Sequence, residues 1–238
     1  MKSRDWMERH KGFEEAAALL GSGQEDTHGQ DELRLGLIQL LVTETVAVRN
    51  PNTIVNDVDR EGYSNYFGDL IGAVADLKDA RAIPVLLANA GTGGMATRGI
   101  AHFGKMALDL VLQQVKGQDP QLVGGAVFVI RDMLEYRTVS DSDSLMRIKN
   151  ALLSALARPD SSVRESAIYA IEYFADRESF VPALTEMARS DPFKIAGQVA
   201  SDGQDNGEVY PVRRMARLLL AKIANHEHPI IDRGVPAP

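Results

Sequence analysis

Acidic clusters, five histidines, a glycine-rich stretch and a basic stripe are the parts of this 238-residue chain whose types and spacing lend themselves to chemistry. Asp57, Asp59, Glu61 and Gly62 read D-x-D-x-E-G, the first half of a calcium loop in which alternating oxygen ligands converge on one hard cation. The second half fails: Gly68 stands where the twelfth-position glutamate belongs, so the same residues predict a turn. Asp202, Asp205, Asn206 and Glu208 form a second acidic loop, SDGQDNGEVY, for which a solvated insert is expected. Asp141 and Asp143 in SDSDS are expected to cap a helix.

His226 and His228 are two apart, a spacing that on a helix sends them to different sides and disfavours joint metal ligation. His10, His28 and His102 stand alone, and no serine occupies a G-x-S-x-G elbow. AGTGGMATRG, Ala90 to Gly99, puts glycine N–H groups ahead of a helix start as a phosphate site would, but lacks the P-loop lysine and the preceding strand. An inter-helix turn is its expected role. Arg213, Arg214, Arg217 and Lys222 make the last helix basic, which suits the polar outer face of a terminal helix. No catalytic residue, metal or cofactor is assigned from these groups, and the reading leans away from an enzyme.

The composition points the same way. A hydrophobic fraction of 45% with 25% charged residues is that of a globular protein with a substantial core. The formal net charge of -7 argues against broad attraction to nucleic acid or anionic membranes. The absence of cysteine excludes disulfides, cysteine zinc sites and a cysteine nucleophile. Leu33 to Val48 is the most apolar long run, but Arg34, Gln39 and Glu44 interrupt it, so no membrane span is expected. The opening MKSRDWMERH lacks the apolar middle of a signal peptide. A soluble, cytoplasmic protein is therefore the expectation, with export left open should a natural signal have been removed.

The elements that must position these residues read as helices. Met1 to Leu20 carries Trp6, Phe13, Ala17 and Leu20 on one face, GSGQEDTHGQ follows as a polar linker, and a second helix presents Leu33, Leu37, Leu40 and Leu41. Asn50 to Asn65, rich in Asn, Asp and Gly, is expected to be a loop. From there a pattern recurs. Val163, Ala167, Ala170, Ile171 and Phe174 sit at offsets 0, 4, 7, 8 and 11, the stripe of a helix packed on one side. The same offsets give Val212, Ala216, Leu219, Leu220 and Ile223, and Tyr66, Leu70, Ala73, Val74 and Leu77. Val123, Val127, Ile130 and Leu134 follow less completely, and a short copy begins at Thr97. After two of these helices comes a shared turn, Asp79-Ala-Arg81 before Pro84 and Asp176-Arg before Pro182, with proline opening the partner helix.

The chain resembles the HEAT-like repeat family, in particular the short bacterial repeats of the phycobilisome-lyase HEAT-like type. The carriers are DARAIP at Asp79 to Pro84 and Val-Arg-x-x-Ala at Val163 to Ala167 and at Val212 to Ala216, with Gly124 departing from the pattern. The resemblance implies an all-α, α-α superhelix (HEAT-like solenoid) of about five to six helical hairpins with irregular inserts. It also implies repeat-forming roles for Asp79, Arg81, Pro84, Arg98, Arg164, Asp176, Pro182 and Arg213. One domain is expected, with capping helices over 1–49, a loop over 50–65, repeats over 66–224 and a tail over 225–238.

Such folds act as scaffolds, adaptors and occasionally enzymes. The expected function is a non-catalytic scaffold that holds a protein or peptide partner in a concave groove lined by the second helix of each hairpin. Asn89, Lys105, Asp109, Gln113, Arg147, Asn150 and Glu186 are the groove candidates. The alternative is a HEAT-like enzyme, resembling bilin lyases or isomerases or, less well given the charge and the single Trp6, alkylpurine DNA glycosylases.

Overall fold

A computed structural model of the protein describes residues 6–23, 27–49, 57–196 and 208–227, and there the apolar stripes become helices. In chain order they are α1 (Trp6–Ser22), α2 (Thr27–Val48), α3 (Asp57–Asp76), α4 (Ile83–Ala88), α5 (Gly94–Ala101) and α6 (Lys105–Val115). They continue with α7 (Pro120–Glu135), α8 (Ser142–Leu156), α9 (Ser161–Ile171), α10 (Val181–Ser190) and α11 (Pro211–Ala224). A two-residue antiparallel ladder, β1 (Ile195–Ala196) with β2 (Glu208–Val209), pairs Ile195 with Val209 at the base of the last insert. The fold is an all-α helical repeat.

The chain packs as two compact units, Met1–Ala107 and Leu108–Pro238. In the first, α1 packs on α3 and α3 on α5, while α2 packs on α4. In the second, α7 packs on α9 and α9 on α11, with α8 and α10 alongside. Within each unit the odd-numbered helices thus meet the odd-numbered helix two places along, which is how stacked hairpins bury a common core. The five copies of the stripe fall on α3, α5, α7, α9 and α11, and Tyr66, Leu70, Val74, Ala101, Val127, Ile130, Val163, Ala167 and Val212 are fully buried.

The turns are built from the local chemistry. Asp79 accepts from the Arg81 N–H and caps a 3₁₀ turn, Ala80–Ala82, after which Pro84 opens α4; Pro182 occupies the same place in α10. Asp119 and Asp141 cap α7 and α8 through their carboxylates, the latter as expected. The helices α7 and α11 both end with a residue in the left-handed region, Arg137 at φ 54 and His226 at φ 54. The next N–H in each case reaches back to Met133 O at 3.1 Å and to Lys222 O at 2.9 Å, so both close in the same Schellman pattern. His226 is therefore part of a helix stop.

Two expected loops are helical instead. Residues 57–65 of the expected 50–65 loop form the first turns of α3, and residues 27–30 of the expected linker begin α2. Asn, Asp and Gly favour turns only locally, and here burial of Tyr63, Tyr66 and Phe67 against α1 and α2 outweighs that preference. Residues 50–56 lie outside the described residues. Asp31 sits inside α2 and pairs with Arg81 at 2.5 Å.

Candidate functional site

The helices α6 and α8 are second-helix elements of their hairpins, and between them in the second unit lies a trough of about 380 Å³. It is lined from α6 by Asp109, Leu112, Gln113 and Val115, by Lys116 just past the end of that helix, and from α8 by Arg147, Asn150, Ala151 and Ser154. Asp109, Leu112, Gln113 and Lys116 advanced by 38 give Arg147, Asn150, Ala151 and Ser154, and 38 is the separation of the Arg147 to Asp109 ion pair that bridges the two helices at one end. The Arg147 to Asp109 pair and, past the C-terminal ends, the Arg158 to Gly117 hydrogen bond tie the two helices in the same order, so α6 and α8 run parallel.

Leu112 and Val115 are buried and form the floor with Ala151, while Asp109, Gln113, Lys116, Arg147, Asn150 and Ser154 are exposed along the walls. The amides of Gln113 and Asn150 each offer donor and acceptor groups, which is what a peptide backbone requires of a partner. Asp109 and Arg147 neutralise one another at one end, and the carboxylate and two neighbouring acids, Asp143 and Asp141, raise the Arg147 pKa. Lys116 and Ser154 stand at the opposite end.

Four of the seven groove candidates, Asp109, Gln113, Arg147 and Asn150, come together here. The others do not. Asn89 is buried at 3% exposure, donating from Nδ2 to Thr45 Oγ1 at 2.7 Å and to Val85 O at 2.8 Å, so it fastens α4 to α2 rather than facing a ligand. Its position at the end of α4 gave no sign of this, because α4 is only six residues long and its last turn faces α2. Glu186 lies on α10, tied to Arg189 at 2.5 Å and Ser190 at 2.7 Å, and Lys105 is exposed at the start of α6 in the first unit.

The repeat positions divide in the same manner. Arg164 is buried and donates to the Asp191 carboxylate, while its Nη1 serves the Arg158 and Pro159 carbonyls at 2.8 and 2.6 Å. Arg213 donates to the Asp191 carbonyl at 2.7 Å and lies over the Tyr210 ring. Arg98, by contrast, is exposed, and Asp176 makes no side-chain cap; it meets Lys149 at 3.5 Å. Gly124, where the repeat arginine is missing, faces the Ser166 hydroxyl of α9, with room for a methyl group between them.

Of the other clusters, Asp57 to Glu61 is helical, so its acids cannot form a calcium loop, and residues 202–206 and His228 lie outside the described residues. Among the described residues there is no group of three or more His, Asp or Glu arranged to hold a metal, and no helix long and apolar enough to cross a membrane. His28 pairs with Glu32, and His10 lies among the rings of Trp6, Phe13 and Tyr66.

One cluster escaped the sequence reading. Glu44, an apparent interruption of an apolar helix, is fully buried and holds Arg9 of α1 while accepting from Tyr63 Oη at 2.7 Å and Tyr66 Oη at 3.2 Å. Burial, with the adjacent carboxylate, pushes both phenols above their ordinary pKa. The signal was an acid at a core position of α2, seven residues after Leu37 on the same face.

Among solved structures, a designed armadillo repeat protein in complex with the peptide (KR)4 aligns over 87% of this chain and 79% of its own, at 13% identity and a TM-score of 0.39. An engineered protein aligns over 91% of this chain and 98% of its own, at 15% identity and a TM-score of 0.41. No protein-family profile and no curated protein matches the chain.

Proposed function

We propose that the protein is a non-catalytic helical-repeat scaffold that holds a protein or peptide partner in the trough between α6 and α8. The observation that carries this reading is the parallel pair of helices, whose exposed amides line both walls above an apolar floor. The floor accepts an apolar side chain, and the wall amides can pair with the backbone on either side of it. In the same reading the repeat is of the HEAT-like type, supported by Arg164 and Arg213, the arginines of the two Val-Arg-x-x-Ala segments, which both end on Asp191.

Panning a peptide-display library against the full chain tests it. Binders are expected, and Gln113→Ala with Asn150→Ala is expected to weaken them about tenfold or more, as loss of two hydrogen bonds to a ligand does. The melting temperature should not change, since both side chains are exposed. Binders indifferent to the double substitution, or no binders at all, would overturn the proposal.

A further inference from the structure

The two ends of the trough are not equivalent. At the Asp109 end, the one lining carboxylate is already satisfied by Arg147. At the other end stand Lys116 and the Ser154 hydroxyl, and no acid lines that end. One turn beyond Ser154, Arg158 donates from Nη2 to the carbonyl of Gly117, the residue after Lys116, at 2.8 Å. Arg158 thus anchors the backbone just after Lys116, and its Nε is buried with no hydrogen-bond partner. A chain of formal net charge -7 thus carries a local basic end on an otherwise neutral trough.

Resting on the peptide-binding reading above, we infer that the occupant is an acidic peptide segment, with an apolar side chain on the Leu112, Val115 and Ala151 floor and a carboxylate at the Lys116 and Ser154 end. Lys116 and Ser154 supply an ammonium and a hydroxyl donor, the complement of a carboxylate and not of an ammonium. From Asp109 to Lys116 is two turns of helix, about 10 Å, which an extended chain covers in about three residues. The segment is therefore an apolar residue followed or preceded closely by Glu or Asp, with the Asp109 to Arg147 pair as the stop at the far end. The lining residues include no aromatic ring to stack a base and, besides the paired Arg147, only one cation to meet phosphates, which favours such a peptide over a nucleic acid.

The probes are fluorescein-labelled peptides, acetylated and amidated to remove terminal charge, with a Leu-Ala-Glu core and with Gln or Lys in place of Glu, measured by anisotropy at low salt. The Glu peptide is expected to bind about two- to fivefold more tightly than the Gln peptide, the scale of one solvent-exposed ion pair. Lys116→Ala should abolish that preference, and Lys116→Glu should invert it toward the Lys peptide. Lys116 is exposed, so both variants should keep the wild-type melting temperature. If library binders engage the trough but the Glu peptide binds no better than the Gln peptide, the acidic preference is wrong and the scaffold reading survives. If no peptide of any kind binds there, both fail. Binding of a single-stranded oligonucleotide that Lys116→Glu abolishes, with no peptide preference, would also overturn the inference.

Discussion

Arg164 donates from Nε to Asp191 Oδ2 at 2.7 Å and from Nη2 to Oδ1 at 3.0 Å, and both residues are buried, at 6% and 5% exposure. The fork joins the start of α9 to the end of α10, and Arg213 of α11 meets the same aspartate through its carbonyl. A single acid therefore ties together three helices of the second unit. Removal of either partner strands a charge in the core, which costs more than the pair itself contributes.

Arg164→Ala is accordingly expected to destabilise the protein by about 3–5 kcal/mol. Urea denaturation should show the loss, and peptide binding at the trough should persist below the new midpoint. A double-mutant cycle with Asp191→Ala should give less than the sum of the single losses, because both charges then go together. An unchanged midpoint for Arg164→Ala would remove the arginine from the architecture.

The buried Glu44 cluster gives the first unit an alkaline limit. Desolvation first, and the Glu44 carboxylate with it, raise the Tyr63 and Tyr66 pKa above the ordinary 10.0. The folded state then keeps protons that the unfolded chain releases, so this contribution is complete below about pH 10 and is lost as pH rises toward the folded values. Stability measured in urea at successive pH values should fall above that point, and Tyr63→Phe should make the fall shallower. Equal slopes for the two proteins would disprove the link.

Gly99 marks a close approach of α5 to α3. A Cβ there would lie 2.4 Å from the Ala75 Cβ, a distance that forces the helices apart. Gly99→Ala is expected to cost about 1–3 kcal/mol despite its better helix propensity, the range for overpacking a core. Gly21→Ala is its control, with open space around the new methyl, and should be neutral or mildly stabilising. Thermal denaturation of the two variants separates packing from propensity, and a stabilised Gly99→Ala would refute the contact.

Asn89→Ala should act on stability and leave the trough alone. Its amide is buried and divided between Thr45 and Val85, so the substitution is expected to cost about 1–2 kcal/mol through the two hydrogen bonds lost. Reduced affinity for a trough-binding peptide, with an unaltered melting temperature, would return Asn89 to the binding surface.

The stripes at Tyr66, Val123, Val163 and Val212 were legible because a helix that buries one face writes its period into the chain. The proline and aspartate turns at Asp79 and Pro182 were equally plain, since capping depends on residues close in sequence. The helices thus followed from local periodicity, and the repeat from the recurrence of the stripes together with the shared turn, as did the placing of Asp109, Gln113, Arg147 and Asn150 on second helices. Tertiary packing decided what local order does not encode. It turned Asp57 to Asn65 into helix by burying Tyr63, and it made Glu44 the centre of a buried ion pair by bringing up Arg9, 35 residues away. It withdrew Asn89 from solvent, and it aligned α6 with α8 so that Asp109 meets Arg147 across a trough. Periodicity says which face of a helix is buried; only the neighbour that covers that face determines which polar residues are locked inside and which are left to meet a partner.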